Sequence, residues 1–419
     1  MLSFQILVPL LPVYGMRFSS SESLIGFLAG AIALAALLTR PFTGIAADRY
    51  NCNRIIVLTQ LGTAIVVVLY VIAPNIGILI AMRFLQGIFF GFSSTIIMTS
   101  AIRVTPDAKM TQGIGILGAA GLGTQAVAPM IGLWIVGRWD YNVLFVFTGA
   151  IALMASMLAL TTKIGRSSPR ALAGRRKDKP QVATESGSSS SLPATESGSS
   201  SSATVTRTGS PGSEEATGSD NLPTQAAEPK APRFSLKNFL TLEAGALIGI
   251  LVLFAAASAV PSSYIVVFAN ARGIPHSGLY YTLFALVIIA VRVFGSGIFN
   301  RFPLSGLLIF CAVCSAASLA LTGSASSFLP LGIGAALMGM GYGISAPVLL
   351  TRIVSFVSVE RQGAASATYY MAIDFSYVMA PVAMGFIAEA SDYNIGFYCF
   401  VATSLALIPL ILVNSRKQR

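Results

Sequence analysis

Apolar runs of about 20 residues recur along the chain, separated by short polar stretches. Twelve can be delimited, near 1–16, 23–42, 55–73, 77–101, 111–137, 141–162, 241–269, 277–299, 303–322, 328–356, 361–389 and 394–414. A helix of that length crosses the roughly 30 Å hydrocarbon core of a bilayer. The glycines and prolines inside several runs are tolerated in membrane helices. The pattern predicts an all-α integral membrane protein of two six-helix bundles, 1–162 and 237–419. Between them, 163–236 turns to Ser, Gly, Pro, Thr, Ala and Glu, and Ala-Thr-Glu-Ser-Gly-Ser-Ser-Ser-Ser occurs at 183–191 and again at 194–202. Such a tract buries too little apolar surface to offset its ordering entropy, so a disordered linker is expected.

Composition agrees with the pattern. The 419 residues are 54% hydrophobic and only 10% charged, with a mean hydropathy of +0.76, whereas a soluble domain carries about 25% charged residues. The net charge of +11 does not point to nucleic acid, because the basic residues are sorted by loop. Arg40, Arg49, Arg54, Arg103, Lys109, Arg301, Arg352, Arg361 and the run Lys163–Lys179 fall in or beside even-numbered gaps. Odd-numbered gaps hold only Arg17, Arg138 and Arg272. That is the inside-positive pattern; it puts the linker and the C-terminus in the cytoplasm, and a prokaryotic cell membrane is the expected location. Cys311 and Cys314 form a C-x-x-C inside an apolar helix with no further thiol or imidazole nearby, so packing accounts for them. The single histidine, His276, reads as a surface residue. No metal or cofactor constellation is present.

The two halves are related. At an offset of 252 residues Pro9 meets Pro261, Gly26 meets Gly278, Arg40 meets Arg292, Arg49 meets Arg301, Gly87 meets Gly339, Gly91 meets Gly343 and Pro129 meets Pro381. Two arginine pairs and two proline pairs at one offset indicate a repeat of parallel halves, the construction used for alternating access. The repeat also shows that helix 1 is short. Its 14–16 residues reach roughly 21–24 Å at 1.5 Å per residue, and its twin begins upstream of the position matching Met1, so the helix is either stunted or N-terminally truncated.

Against this background the charged and polar positions are few. Arg40, Gly44, Asp48, Arg49 and Arg54 cluster in the second gap, with Arg292 and Arg301 as repeat mates and Asn300 in place of the aspartate. Arginines can hold a carboxylate bidentately there and latch one conformation of two rocking halves. Arg83 in helix 4 and Asp374 in helix 11 are ionisable groups inside spans, which are functional hypotheses by default. Their mates are Ala335 and Leu122, so the fold does not need either charge twice. Gln5, Gln125, Ser262, Tyr264, Tyr281, Ser345, Tyr370 and Tyr377 are candidates to line a substrate cavity. Helix 5 carries Gly121, Pro129 and Gly132, and helix 11 carries Pro381. Small residues admit a close neighbour and proline bends a helix, so these are candidate hinges.

These motifs resemble the major facilitator superfamily, in its twelve-helix drug:proton antiporter form. Gly44-x-x-x-Asp48-Arg49 resembles motif A of that family, Arg83-x-x-Gln86-Gly87 resembles motif B, and the glycines around Ala128-Pro129 and Gly132 resemble motif C. Asn51 and Asn53 depart from motif A, where left-handed asparagines would preserve the turn, and Ala128 departs from motif C. The resemblance implies a major facilitator fold and a transporter rather than an enzyme. It further implies proton-coupled export of small amphipathic compounds by a monomer, with protons as the coupling ion and the bilayer and a small molecule as its partners. A sugar, siderophore or other metabolite carrier on the same fold is the alternative, and a membrane sensor acting through the linker a more distant one.

Overall fold

The computed structural model describes residues 2–104, 110–161, 245–294, 302–357 and 362–417; the expected linker, 163–236, lies outside them. Every regular element among the described residues is helical. The first half contains α1 (Leu2–Gly15), α2 (Glu22–Arg49), α3 (Cys52–Leu69), α4 (Ile76–Val104), α5 (Met110–Arg138) and α6 (Tyr141–Thr161). The second contains α7 (Gly245–Ala271), α8 (Leu279–Phe294), α9 (Leu304–Gly323), α10 (Phe328–Ser355), α11 (Gln362–Ala390), α12 (Tyr393–Leu405) and α13 (Leu407–Lys417). Among the described residues ten spans are long and apolar enough to cross a membrane, and α1 and α8 are shorter apolar helices.

The last predicted helix is broken. α12 and α13 form one span, Tyr393–Ser415, interrupted at Ala406. Pro409 lies four residues beyond Leu405 and cannot donate to its carbonyl, which places the break there.

The charged cluster after helix 2 also differs from expectation. Asp48 and Arg49 stand on the last turn of α2, not in a loop, and the connection to α3 is only Tyr50 and Asn51. Asn51 is not left-handed. Its φ is −70°, and its side-chain oxygen accepts from the Asn53 N–H at 3.0 Å, capping α3. A capping asparagine starts the next helix directly, so no glycine turn is required. The side chains of Gly44, Asp48 and Arg49, and all of Arg301, lie outside the described residues.

The repeat is visible in the packing. A methyl group on Gly87 of α4 would sit 2.5 Å from the Ile32 carbonyl oxygen of α2, and one on Gly339 of α10 would sit 2.8 Å from the Phe284 carbonyl oxygen of α8. One turn on, Gly91 faces Ala36 and Gly343 faces Ile288. Both members of each contact are shifted by 252. The relation extends across the halves: Gly26 of α2 packs on Pro381 and Val382 of α11, while Gly278, just before α8, packs on Met130 and Leu133 of α5. Thus α2 on α11 and α8 on α5 are the two pseudo-symmetric seams, and α1 also packs on α7. Glycine is needed where helices approach this closely, because in hydrocarbon it is packing rather than water exclusion that holds them together.

Candidate functional site

The α2–α11 seam brings two sequence candidates together. Arg40 of α2 and Asp374 of α11 form a two-pronged ion pair: Nε bonds one carboxylate oxygen, and Nη2 donates to the other at 3.0 Å. Side-chain exposures of 16% and 11% put the pair largely out of reach of solvent. The Arg40 guanidinium carbon also lies 5.6 Å from the Tyr370 ring centroid, a cation–π geometry. A planar guanidinium matches a carboxylate bidentately, which fixes orientation as well as charge. Arg40 is nine residues from the end of α2, and Asp374 is twelve from the start of α11. Each is therefore recessed a dozen or more ångströms, at about 1.5 Å per residue, from its helix end on the side of the α2–α3 turn.

Arg83 is placed elsewhere. It is 1% exposed and lies wholly within the first half, donating to the Gln86 side-chain oxygen at 2.8 Å. The same oxygen accepts from the Tyr70 hydroxyl at 2.7 Å. Arg83 Nε and Gln86 Nε2 are buried with no hydrogen-bond partner, and no carboxylate faces the guanidinium among the described residues. Beside Gln86 is a cavity of about 30 Å³ lined by polar groups including Ser3, Gln60, Thr63 and Ser93, of a size for water. The structure does not bring Arg83 and Asp374 into contact.

The cavity candidates fall into two sets. Ser262, Tyr281 and Ser345 are buried and bond helix carbonyls, of Ser258 at 2.7 Å, Ser262 at 3.0 Å and Tyr342 at 3.5 Å respectively. Tyr264 is buried in the seam, its hydroxyl 3.3 Å from both the Glu22 and Pro381 carbonyls. Gln5, Gln125, Tyr370 and Tyr377 are half-buried. Of the hinge candidates, Gly132 packs against Ile6 and Leu10 of α1, whereas Gly121 faces open space. Pro129 leaves the Gln125 carbonyl without its helix donor, and at the adjacent carbonyl, Ala126, the α8 Thr282 hydroxyl donates at 2.8 Å. Arg54 is exposed at the start of α3.

At the opposite end of the same seam lies a cluster that sequence reasoning missed. The Tyr393 hydroxyl donates to Glu22. Glu389 accepts from the Ser21 hydroxyl at 3.1 Å and from the Ser23 N–H at 3.0 Å. Glu22 and Ser21 come from the first half, and Tyr393 and Glu389 from the second. Acids standing at span ends in a chain whose odd gaps are nearly free of lysine and arginine were the available signal.

The comparisons agree with this architecture. The model of the Major Facilitator Superfamily matches residues 1–381. Similar proteins include the multi-drug resistance efflux pump PmrA of Streptococcus pneumoniae, 26% identical over 164 residues, which cover 38% of this chain and 40% of that protein. They also include the multidrug resistance protein MdtG of Yersinia enterocolitica, 29% identical, with 36% and 37% covered. A third is the quinolone resistance protein NorA of Staphylococcus aureus, 22% identical, with 44% and 47% covered. The chain thus matches less than half the length of these relatives. Among solved structures, the nucleoside transporter NupG superposes with a TM-score of 0.67 over 98% of this chain and 96% of its own, at 12% identity, a likeness of fold. With ten membrane-length helices among the described residues, an internal repeat at an offset of 252 residues and a family match over residues 1–381, the chain belongs to the Major Facilitator Superfamily.

Proposed function

We propose that this transporter exports small amphipathic compounds in exchange for protons, by rocking of the two halves about the α2–α11 and α8–α5 seams. The observation that carries the reading is the Arg40–Asp374 pair, an ion pair between the halves set inside the membrane. An acid in that position can be released from its arginine by taking a proton, which neutralises it and loosens the seam at one end. Proton uptake and conformational change then act on one bond. With the basic ends of the helices facing the cytoplasm, the pair closes the cytoplasmic side, and the Glu22–Tyr393 and Glu389–Ser23 contacts close the outer side. Asp48, Arg49 and Arg54 belong to the same cytoplasmic closure, with Arg292 and Arg301 on the second half. Arg83 holds a permanent charge inside the first half and acts as a second coupling element.

Drug export is supported by the named relatives. The experiment is proton flux driven by candidate cargo, amphipathic cations and nucleosides included, across liposomes containing the full chain. Coupled flux should be lost in Asp374→Asn and weakened in Arg83→Ala; undiminished flux in both removes these residues from the mechanism. Deleting 170–230 separates transport from sensing, since a carrier keeps its flux without the linker.

A further inference from the structure

The repeat relates Arg40 to Arg292, and Asp374 to Leu122. Arg40 is neutralised by Asp374, but Arg292 has a leucine where its acid would be. Its Nη1 comes within 4.0 Å of where a side chain on Gly118 would begin, one turn from Leu122 on α5. No carboxylate pairs with Arg292 among the described residues. Arg292 is exposed near the end of α8, so its guanidinium is open to an anion from outside the chain.

Arg292 lines a cleft of about 650 Å³ between α8, α9 and α10, and Arg352 of α10 lines it too. None of the described lining residues is acidic. Thr351 and Ser355 contribute hydroxyls, but these donate to the Pro347 and Arg352 carbonyls at 2.9 Å, so the two guanidiniums are the free donors among the described lining residues. Next to the cleft is a groove of about 730 Å³, walled by the same three helices and sharing Val291, Phe302 and Leu307 with it. The further walls of the groove, among them Phe294, Phe310 and Met340, are apolar. Phe294 is 77% and Phe302 58% exposed, so the groove opens sideways, toward lipid.

We propose that this paired cleft and groove binds one anionic phospholipid, with its phosphate between Arg292 and Arg352 and an acyl chain along the α8–α9 groove. A free anion has no use for an apolar groove of this size, and a zwitterionic lipid has no need of two arginines without a compensating acid. Basic pockets between membrane helices on the cytoplasmic side recognise anionic headgroups in this way, and arginine forks suit phosphate oxygens. The inside-positive orientation assigns the lipid to the cytoplasmic leaflet.

The test uses the full chain in nanodiscs containing phosphatidylglycerol with a diazirine on its acyl chain, and mass spectrometry to map the cross-links. Labelling is expected at the α8–α9 groove, with phosphatidylglycerol displacing the probe at about tenfold lower concentration than phosphatidylcholine, and inorganic phosphate displacing none. Arg292→Gln with Arg352→Gln should reduce labelling about tenfold. Gly306→Leu should reduce it independently, since a side chain there meets only Pro303, at 3.5 Å, and projects into the groove without disturbing the arginines. Equal displacement by phosphatidylcholine, uniform labelling of all lipid-facing helices, or unchanged labelling in either variant overturns the proposal. Displacement by inorganic phosphate alone also overturns it, in favour of a simple anion site.

Discussion

Removing either partner of the Arg40–Asp374 pair should have unequal effects. Asp374→Asn leaves a guanidinium that cannot lose its proton in a seam where the pair is only 11–16% exposed. Breaking a buried pair from one side costs about 3–5 kcal/mol. The residual exposure argues for the lower end, about 3 kcal/mol, or roughly a hundredfold in population. That loss falls on the conformer that holds the pair, the one described here. Arg40→Gln leaves a carboxylate instead, which escapes its stranded charge by protonation, so the shift should be smaller, on the order of tenfold. The double variant should resemble Arg40→Gln more than the sum of the two. The assay is the distance distribution between spin labels at Phe42 of α2 and Phe375 of α11, both exposed, measured by pulsed dipolar spectroscopy in nanodiscs. Asp374→Asn should move most of the population to longer distances. Equal shifts in the two single variants, or single-variant effects that add to within about 0.5 kcal/mol, would refute the reasoning.

Three further outcomes follow from the packing. Gly87→Ala should lower the thermal midpoint by an amount corresponding to about 1–3 kcal/mol of overpacking, because the new methyl meets the Ile32 carbonyl oxygen at 2.5 Å; Gly121→Ala, in open space, should leave it unchanged or slightly raised, as helix propensity favours alanine by up to about 1 kcal/mol. Leu122→Asp gives Arg292 the acid that its repeat mate already has, and should tighten the α5–α8 seam and slow liposome flux; flux at the parental rate would show that the seam does not move in the cycle. Gln86→Leu removes the acceptor shared by Arg83 and Tyr70 and should cost about 1–3 kcal/mol in thermal unfolding, with Tyr70→Phe nearly silent in that background; a full, additive Tyr70→Phe effect there would mean that the hydroxyl is held by something other than Gln86.

The extent to which the site was legible can be judged residue by residue. Asp374 and Arg40 were each singled out, one as an acid too deep in a span, the other as a member of a basic cluster. That they touch was not readable, because 334 positions separate them and the repeat offers no guide: Asp374 has no acidic twin. The reverse holds for Gly26 and Gly278, whose pairing in the repeat anticipates two seams of the same construction. Tyr264 read as a cavity residue and stands instead between carbonyls of the two halves, since a tyrosine at mid-helix looks the same in sequence whichever face it occupies. The Glu22 and Glu389 cluster was passed over because acids at span ends are ordinary until two of them meet across an interface.

By itself the sequence determined the class of solvent, the spans and the duplication, because each depends on local composition or on one fixed offset: 54% apolar residues with 10% charged leave only a bilayer, and apolar runs of about 20 residues leave only helices. It also determined which charges were unusual. The tertiary structure alone decided their partners. Helices in hydrocarbon associate through packing and hydrogen bonds along narrow faces, so a rotation of one helix by a single residue changes which side chains meet. Arg40 thus meets an acid 334 positions away, while its repeat mate Arg292, with Leu122 at the matching position, meets no carboxylate among the described residues and lines an open cleft.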